Sequence, residues 1–339
     1  MTRNTIRLAS FGWALPVALA LTACAPEEPP KAPILTADPP LSSQADDGAV
    51  QTELERGIAF VKNEKFAEAK DHFKKAIAIK PTPTAWTYLG VTAERTGDRT
   101  GAEDAYKSAL KLDAGFTEAA QNLSALYLDD PARPDDAIAL LDAALQKNKD
   151  KDSVKLLMNL GYAHGLKGSV EAANKAYEAA LAKGEDPQIR FAWGAMLHEQ
   201  KQSEKAAQQL KRAVDGANED VALLVSAGRL LGATKAFGDC VKAFDKAIAI
   251  KSSDPEWHVR RGTCKHELKD EAGAQKDYEA AIKVDPKFPA AHYYLGLSLL
   301  TQKKRQSAMI ALEKAQKLGE GGPIGKAAHD KLADLKKKK

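Results

Sequence analysis

The chain has 339 residues, a formal net charge of +4, 28% charged residues and 6% aromatics. So mild a basic excess, with acids and bases interspersed, excludes a dedicated nucleic-acid binder and reads as a solvated surface. Few aromatics and frequent alanine suit helices with charged outer faces.

Residues 1–23 read as a secretion signal. Arg3 and Arg7 give a basic start, and Leu8 to Ala20 forms an apolar stretch of 13 residues. That is too short to span a bilayer, which takes about 20. The stretch ends in Leu21-Thr22-Ala23-Cys24, which resembles the lipobox of bacterial lipoproteins. The resemblance implies a diacylglycerol on the Cys24 sulfur and cleavage just before it. Several acyl chains, at ~0.8 kcal/mol per buried CH₂, would then hold the mature chain on a membrane. An ordinary signal peptide with a chance cysteine is the alternative. Ala25, where enteric bacteria use Asp to retain lipoproteins at the inner membrane, favours the outer membrane facing the periplasm. Residues 25–49 carry six prolines and no helical period, as expected of an extended, disordered tether; with Cys24 they form the segment 24–49.

From residue 50 a pattern repeats. A glycine recurs as Gly57, Gly90, Gly161, Gly194, Gly228, Gly262 and Gly296, with Ser124 standing in once, at spacings of 33, 34, 37, 33, 34, 34 and 34. A second small residue recurs as Ala69, Ala102, Ala137, Ala173, Ala206, Cys240, Ala274 and Ala308. Four residues after each stands a large one: Phe73, Tyr106, Leu141, Tyr177, Leu210, Phe244, Tyr278 and Leu312. The clearest copy runs Trp86-x2-Leu89-Gly90, then Ala102-x3-Tyr106-x2-Ala109. It resembles the tetratricopeptide repeat, a 34-residue helix-turn-helix unit. Small residues let the two helices approach, and the aromatics fill the space beside the contact. One pair cannot bury its own apolar face, so it needs neighbours.

The resemblance implies an all-α, right-handed superhelical solenoid of eight units: 50–83, 84–116, 117–152, 153–186, 187–220, 221–254, 255–288 and 289–319. Residues 320–339 should add a capping helix over Ile324–Leu335 and a basic tail, Lys336–Lys339. One unit departs from the template. Ser124 to Ala137 spans 13 positions where the others span 12, so an exposed, stiffened loop is expected within Asp129–Asp136.

Catalytic chemistry is not evident. The seven histidines are scattered, with no metal-ligand spacing, and no nucleophile elbow or phosphate loop occurs. The chain reads as a non-enzyme without cofactor or metal. Cys240 and Cys264 remain after lipidation. They could form a disulfide in an oxidising compartment, or stay apart as two small core residues, with Cys240 expected to face Gly228 in its own unit.

In the repeat family the first helices line a concave face that binds peptides, through residues three before, one after and four after the glycine. Here these positions give Met158, Tyr162, Phe191, His198, Val225, Arg229, Val259, His266, Tyr293 and Leu297 as peptide-binding candidates. The alternative for Met158, Phe191 and Tyr293 is packing between helices. The family's carboxylate-clamp pattern of Lys and Asn is not met, and the surface is mostly apolar with one strong cation, Arg229. An extended or helical peptide with apolar anchors is the expected ligand. An enzyme or sugar-binding site would want several acids and aromatics together, and Glu94 is the lone acid among the groove positions. The whole reads as a monomeric, lipid-anchored scaffold that binds an envelope protein in its groove. It resembles in architecture both pilotin-type lipoproteins, which assist secretins of pili or secretion systems, and adaptors of peptidoglycan hydrolases and synthases. No residue selects between them.

Overall fold

In the computed structural model, residues 45–129, 133–147 and 154–337 are described. The signal segment, Cys24, residues 25–44, residues 130–132 and 148–153 and the last two lysines lie outside them. The described residues form seventeen helices and no strand. They come in pairs: α1 (Ala45–Lys62) with α2 (Phe66–Ile79), α3 (Pro83–Arg95) with α4 (Arg99–Leu112), α5 (Thr117–Leu128) with α6 (Pro134–Lys147), and α7 (Val154–Leu166) with α8 (Val170–Leu181). Then follow α9 (Pro187–Glu199) with α10 (Ser203–Gly216), α11 (Val221–Ala233) with α12 (Phe237–Ile250), α13 (Pro255–Glu267) with α14 (Glu271–Val284), and α15 (Pro289–Thr301) with α16 (Arg305–Leu318). A final helix, α17 (Pro323–Lys337), lays Ala328 and Leu332 on Leu312 and Ala315 of α16. It covers the apolar side that the last pair would otherwise show to water.

Helix α1 starts at Ala45, inside the stretch expected to be tether. Two acids in its first turn, Asp46 and Asp47, suit the positive end of the helix dipole. Lys80 Nζ, just past α2, donates to Asp47 at 2.7 Å and ties that first turn down.

Local signals explain the boundaries. Thr82, Asp186 and Asp254 each accept a backbone N–H with their side chains, and each precedes a proline at the first helical position. Most first helices end in a left-handed residue: Gly97 and Gly168, but also Glu64, Lys201, Lys235, Lys269 and Lys303. The next amide closes back five residues, as in Asp98 N–H to Ala93 O and Gln202 N–H to Leu197 O. This is the Schellman arrangement, and it fixes the angle at which each second helix returns.

Each pair is locked by a large side chain on a glycine. A Cβ built on Gly90 would lie 2.5 Å from Cε1 of Tyr106. The same apposition joins Gly57 to Phe73, Gly161 to Tyr177, Gly194 to Leu210, Gly228 to Phe244, Gly262 to Tyr278 and Gly296 to Leu312. Ser124 breaks the series. Its hydroxyl donates to Gln121 O at 2.8 Å and accepts from Asn159 Nδ2 at 2.9 Å, a polar bond to α7.

The connection into α6 is held at its far end. Arg133 lies 4.0 Å over the Tyr127 ring and donates to both oxygens of Glu103, at 2.7 and 3.0 Å, and to Asp136 at 3.1 Å. The Glu103 carboxyl is pulled down to about 2, chiefly by Arg133 and then by Lys107. Asp129, Asp135 and Asp136 are exposed.

The first helices of all neighbouring units touch one another, from α1 on α3 through to α15 on α17. Among the second helices of the described residues, only α10 and α12 do. Close spacing on one side and splaying on the other curves the array, with the first helices on the inner face.

Candidate binding groove

The inner face is built from residues at fixed offsets from the glycines, and burial sorts them. Residues one after the glycine stay open or half open: Val91, Ala125, Tyr162, Ala195, Arg229, Thr263 and Leu297. Tyr162 is the most open of them, at 39%. Residues three before the glycine do not behave alike. Val225 and Val259 are only 9% and 4% exposed, inside core clusters. These two expected ligand contacts are therefore corrected to packing residues. Their position faces the seam where adjacent first helices abut, as does Thr87 at 1%. Met158 and Phe191 are half buried against the clusters around Trp193 and Phe244. Tyr293 packs on the capping cluster, with its ring edge-on to Tyr294 at 5.3 Å. What the face presents to a ligand is thus chiefly Tyr162, Arg229 and Leu297, with the accessible parts of His198 and His266.

The two histidines share a register but not a setting. His266 Nδ1 sits 3.0 Å from Glu271. His198 has Ser203 at the corresponding place, and its Nδ1 is buried without a partner. A second such contrast lies deeper. The Tyr106 hydroxyl donates to Glu94, whose carboxyl is raised by burial, with that bond opposing. In the unit of Tyr177 the corresponding position is Gly165, so its buried hydroxyl finds no partner. Tyr162 nearby is raised by burial first and then by Asp129 and Glu199, which give this end of the face a negative field.

Arg229 Nη2 donates to Glu256 Oε1 at 3.1 Å, and Arg260 Nε reaches the same oxygen at 2.6 Å. Arg229 Nε is buried with no acceptor. Glu256 and Arg260 were not among the sequence candidates. Glu256 lies six residues before Gly262, beyond the offsets used, and only the approach of α11 to α13 joins it to Arg229.

Beneath this surface Cys240 Sγ is bonded to Cys264 Sγ, 24 residues on. The bond joins α12 to α13. Cys240 turns away from Gly228, whose neighbours are Ala243 and Phe244, and toward Gly232, where a Cβ would lie 3.6 Å from each sulfur. Separate thiols are thereby replaced by a covalent staple between units, directly under the groove floor. Among the described residues no group of three His, Cys, Asp or Glu side chains could hold a metal ion, and no helix is long and apolar enough to cross a membrane.

A family model described as tetratricopeptide repeat matches residues 54–115, 123–183, 167–221 and 270–323, more than half of the chain. A curated relative, the E3 ubiquitin-protein ligase CHIP of Arabidopsis thaliana, is 31% identical over 104 residues; the match covers 30% of this chain and 37% of that protein. The chain thus spans little more than a third of that relative. Among solved structures, the C-terminal part of a TPR repeat-containing protein from Cytophaga hutchinsonii is 16% identical with a TM-score of 0.54, covering 82% of this chain and 99% of its own. A thermophilic TPR protein of Thermus thermophilus is 22% identical with a TM-score of 0.45, covering 54% of this chain and 99% of its own. At such identities the Cytophaga likeness speaks for the fold alone.

Proposed function

The chain belongs to the tetratricopeptide repeat family, and from that premise we propose that it is a non-catalytic scaffold whose inner face holds an extended segment of a partner protein. Lipidated Cys24 tethers it to a bacterial membrane, on the periplasmic side of the outer membrane, and the partner is another envelope protein. One observation carries the binding reading. The first helices abut at every unit boundary, so the open positions one after each glycine form one continuous strip on rigid elements. Tyr162 and Leu297 on that strip are apolar anchors, and Arg229 between them is a polar one.

Export draws support from the Cys240–Cys264 bond, because disulfides persist in oxidising compartments and are rare in reducing ones. Anchoring draws support from the Leu21-Thr22-Ala23-Cys24 sequence.

The test is affinity capture from detergent-solubilised bacterial membranes with the mature protein. Its comparisons are a Tyr162→Ala/Arg229→Gln/Leu297→Ala variant and a Cys24→Ala form followed by acyl-chain mass spectrometry. These three side chains lie at the surface, so the variant should keep its helical content. It should lose the partner, and Cys24→Ala should lose the acyl mass. A secretin or pilus component among the lost proteins would make the scaffold pilotin-like. Wall hydrolases or synthases would make it a peptidoglycan adaptor. An identical partner set on variant and wild type would remove the groove from the reading.

A further inference from the structure

We propose that Arg229 and Arg260, which share Glu256 as their present partner, form a receptor for one aspartate or glutamate side chain of a segment lying along the groove. This deepens the scaffold reading and rests on it.

The case starts from a comparison with three other arginines. Arg190 is satisfied on all three nitrogens, by both oxygens of Glu185 and by Gln209. Arg261 meets both oxygens of Asp277 and one of Asp245. Arg133 has Glu103 and Asp136. These are structural arginines, matched to their acceptors. Arg229 is not matched. It has one bond of 3.1 Å to an oxygen that Arg260 already holds at 2.6 Å, and its Nε is shielded from water with nothing to donate to. A ligand cannot reach the shielded Nε, but Nη1 makes no bond and is not buried, so an acceptor in the groove can pair with it. Two guanidinium groups offer about ten N–H donors, and one carboxylate accepts about four.

Charge fixes the ligand class. Two arginines and one glutamate leave a single positive charge. A carboxylate cancels it, whereas a phosphate dianion would overshoot and repel Glu256 at close range. A guanidinium also receives a carboxylate through two parallel N–H bonds, using the nitrogens that Glu256 leaves free. Access is adequate, since Arg229 and Glu256 side chains are 32% and 35% exposed. At the same register Ala195 on α9 and Thr263 on α13 flank Arg229; both are small and leave room beside the guanidinium.

Position selects a side chain over a chain terminus. Arg229 lies on α11, with first helices α7 and α9 on one side and α13 and α15 on the other. A terminal carboxylate here would end the ligand in mid-groove and leave Tyr162 or Leu297 without a partner. An internal acid lets apolar residues on either side reach both.

The experiment pans a phage library of random dodecapeptides on the wild-type array and on Arg229→Met. The most enriched wild-type sequence is then synthesised with each acid and with its amide counterpart, and affinities are read by fluorescence anisotropy. Wild-type pools should be rich in one acid flanked by apolar residues. The amide change should weaken binding at least tenfold on wild type and less than twofold on Arg229→Met. Glu256→Gln, which removes the competing carboxylate, should tighten the acidic peptide several-fold; loss of a merely structural ion pair would not. An acid-free pool, or equal affinity for acid and amide, overturns the carboxylate receptor. If peptides still lose binding on Tyr162→Ala/Leu297→Ala, the groove reading survives that result. If no peptide is enriched at all, the groove reading falls with it.

Discussion

Replacing Gly90 by alanine tests whether the glycine–aromatic lock holds each pair. The new Cβ would sit 2.5 Å from Tyr106 Cε1 and 2.7 Å from Cδ1, against the ~3.5–4.0 Å of ordinary carbon contacts. The ring must withdraw by about 1 Å. It is fully buried and its hydroxyl is bonded to Glu94, so it cannot move freely. Overpacking costs about 1–3 kcal/mol, and weakening a charged hydrogen bond costs about 1.5–3 more if it is lost. Alanine returns about 1 kcal/mol of helix propensity. With the bond lost, the net is a loss of about 1.5–5 kcal/mol. Gly238 in α12 has nothing within 4 Å of its Cβ position, and Gly238→Ala should gain up to about 0.5 kcal/mol. Urea unfolding by circular dichroism gives both numbers. Native-state hydrogen exchange should show the Gly90 loss concentrated in α3 and α4 and their neighbours, because a solenoid couples mainly adjacent units. If Gly90→Ala is as harmless as Gly238→Ala, the lock is not what holds the pair, and the same argument fails at the six other glycines.

Two further outcomes follow from the last units of the array. The disulfide closes a 24-residue separation, which in the loop-entropy treatment stabilises by about 3.5 kcal/mol. Cys240→Ala/Cys264→Ala should therefore unfold at lower urea and ignore reductant, while reductant brings wild type down to the same midpoint; a wild type indifferent to reductant would refute it. His258 and His292 are 7% and 4% exposed, and burial lowers both from 6.5. Arg261 and Lys265 reinforce the shift on His258 against Asp277 and a backbone hydrogen bond at Ser252. Lys314 reinforces that on His292 against the Pro286 carbonyl and Asp285. Each stays neutral when folded and takes a proton when unfolded, so the unfolded state binds more protons below the free value. Stability should be full above about pH 6.5 and decline as pH falls below it toward the folded values. His258→Gln/His292→Gln should flatten that part of the urea–pH profile, and an equally steep double variant would exclude these histidines as the cause.

The sequence was most readable where each unit meets the same mechanical demand. Gly90 with Tyr106, and the six matching pairs, repeat at nearly constant spacing because every unit must bring two helices equally close. The capping role of α17 followed from the same logic. What could not be read was set by the angle between units. A helical wheel treats residues three before the glycine as groove-facing. Contact between neighbouring first helices turns Thr87, Val225 and Val259 into the seam instead. The Cys240–Cys264 bond likewise depends on how α12 meets α13. Glu256 needed the approach of α13 to α11 before it could be placed beside Arg229. The Lys80–Asp47 pair at the early start of α1 spans 33 residues and was equally out of reach of local patterning.

This division has a consequence for where specificity resides. Core positions repeat because packing punishes deviation by kilocalories. The strip one after each glycine does not repeat: Val91, Ala125, Tyr162, Ala195, Arg229, Thr263, Leu297. These residues border solvent, so the fold places little constraint on their identity. Variation there changes what is bound at small cost to what is folded. The same holds for the paired contrasts of Glu94 with Gly165 and of His266 with His198. In each, one unit closes a polar bond internally and the other leaves the matching atom without a partner. Substitutions on the strip should thus move partner affinity while leaving unfolding midpoints nearly fixed, and substitutions at Gly90 or Tyr106 should do the reverse. The solenoid makes the two separable, since each unit is stabilised through its neighbours and recognition is spread along the face that those contacts line up.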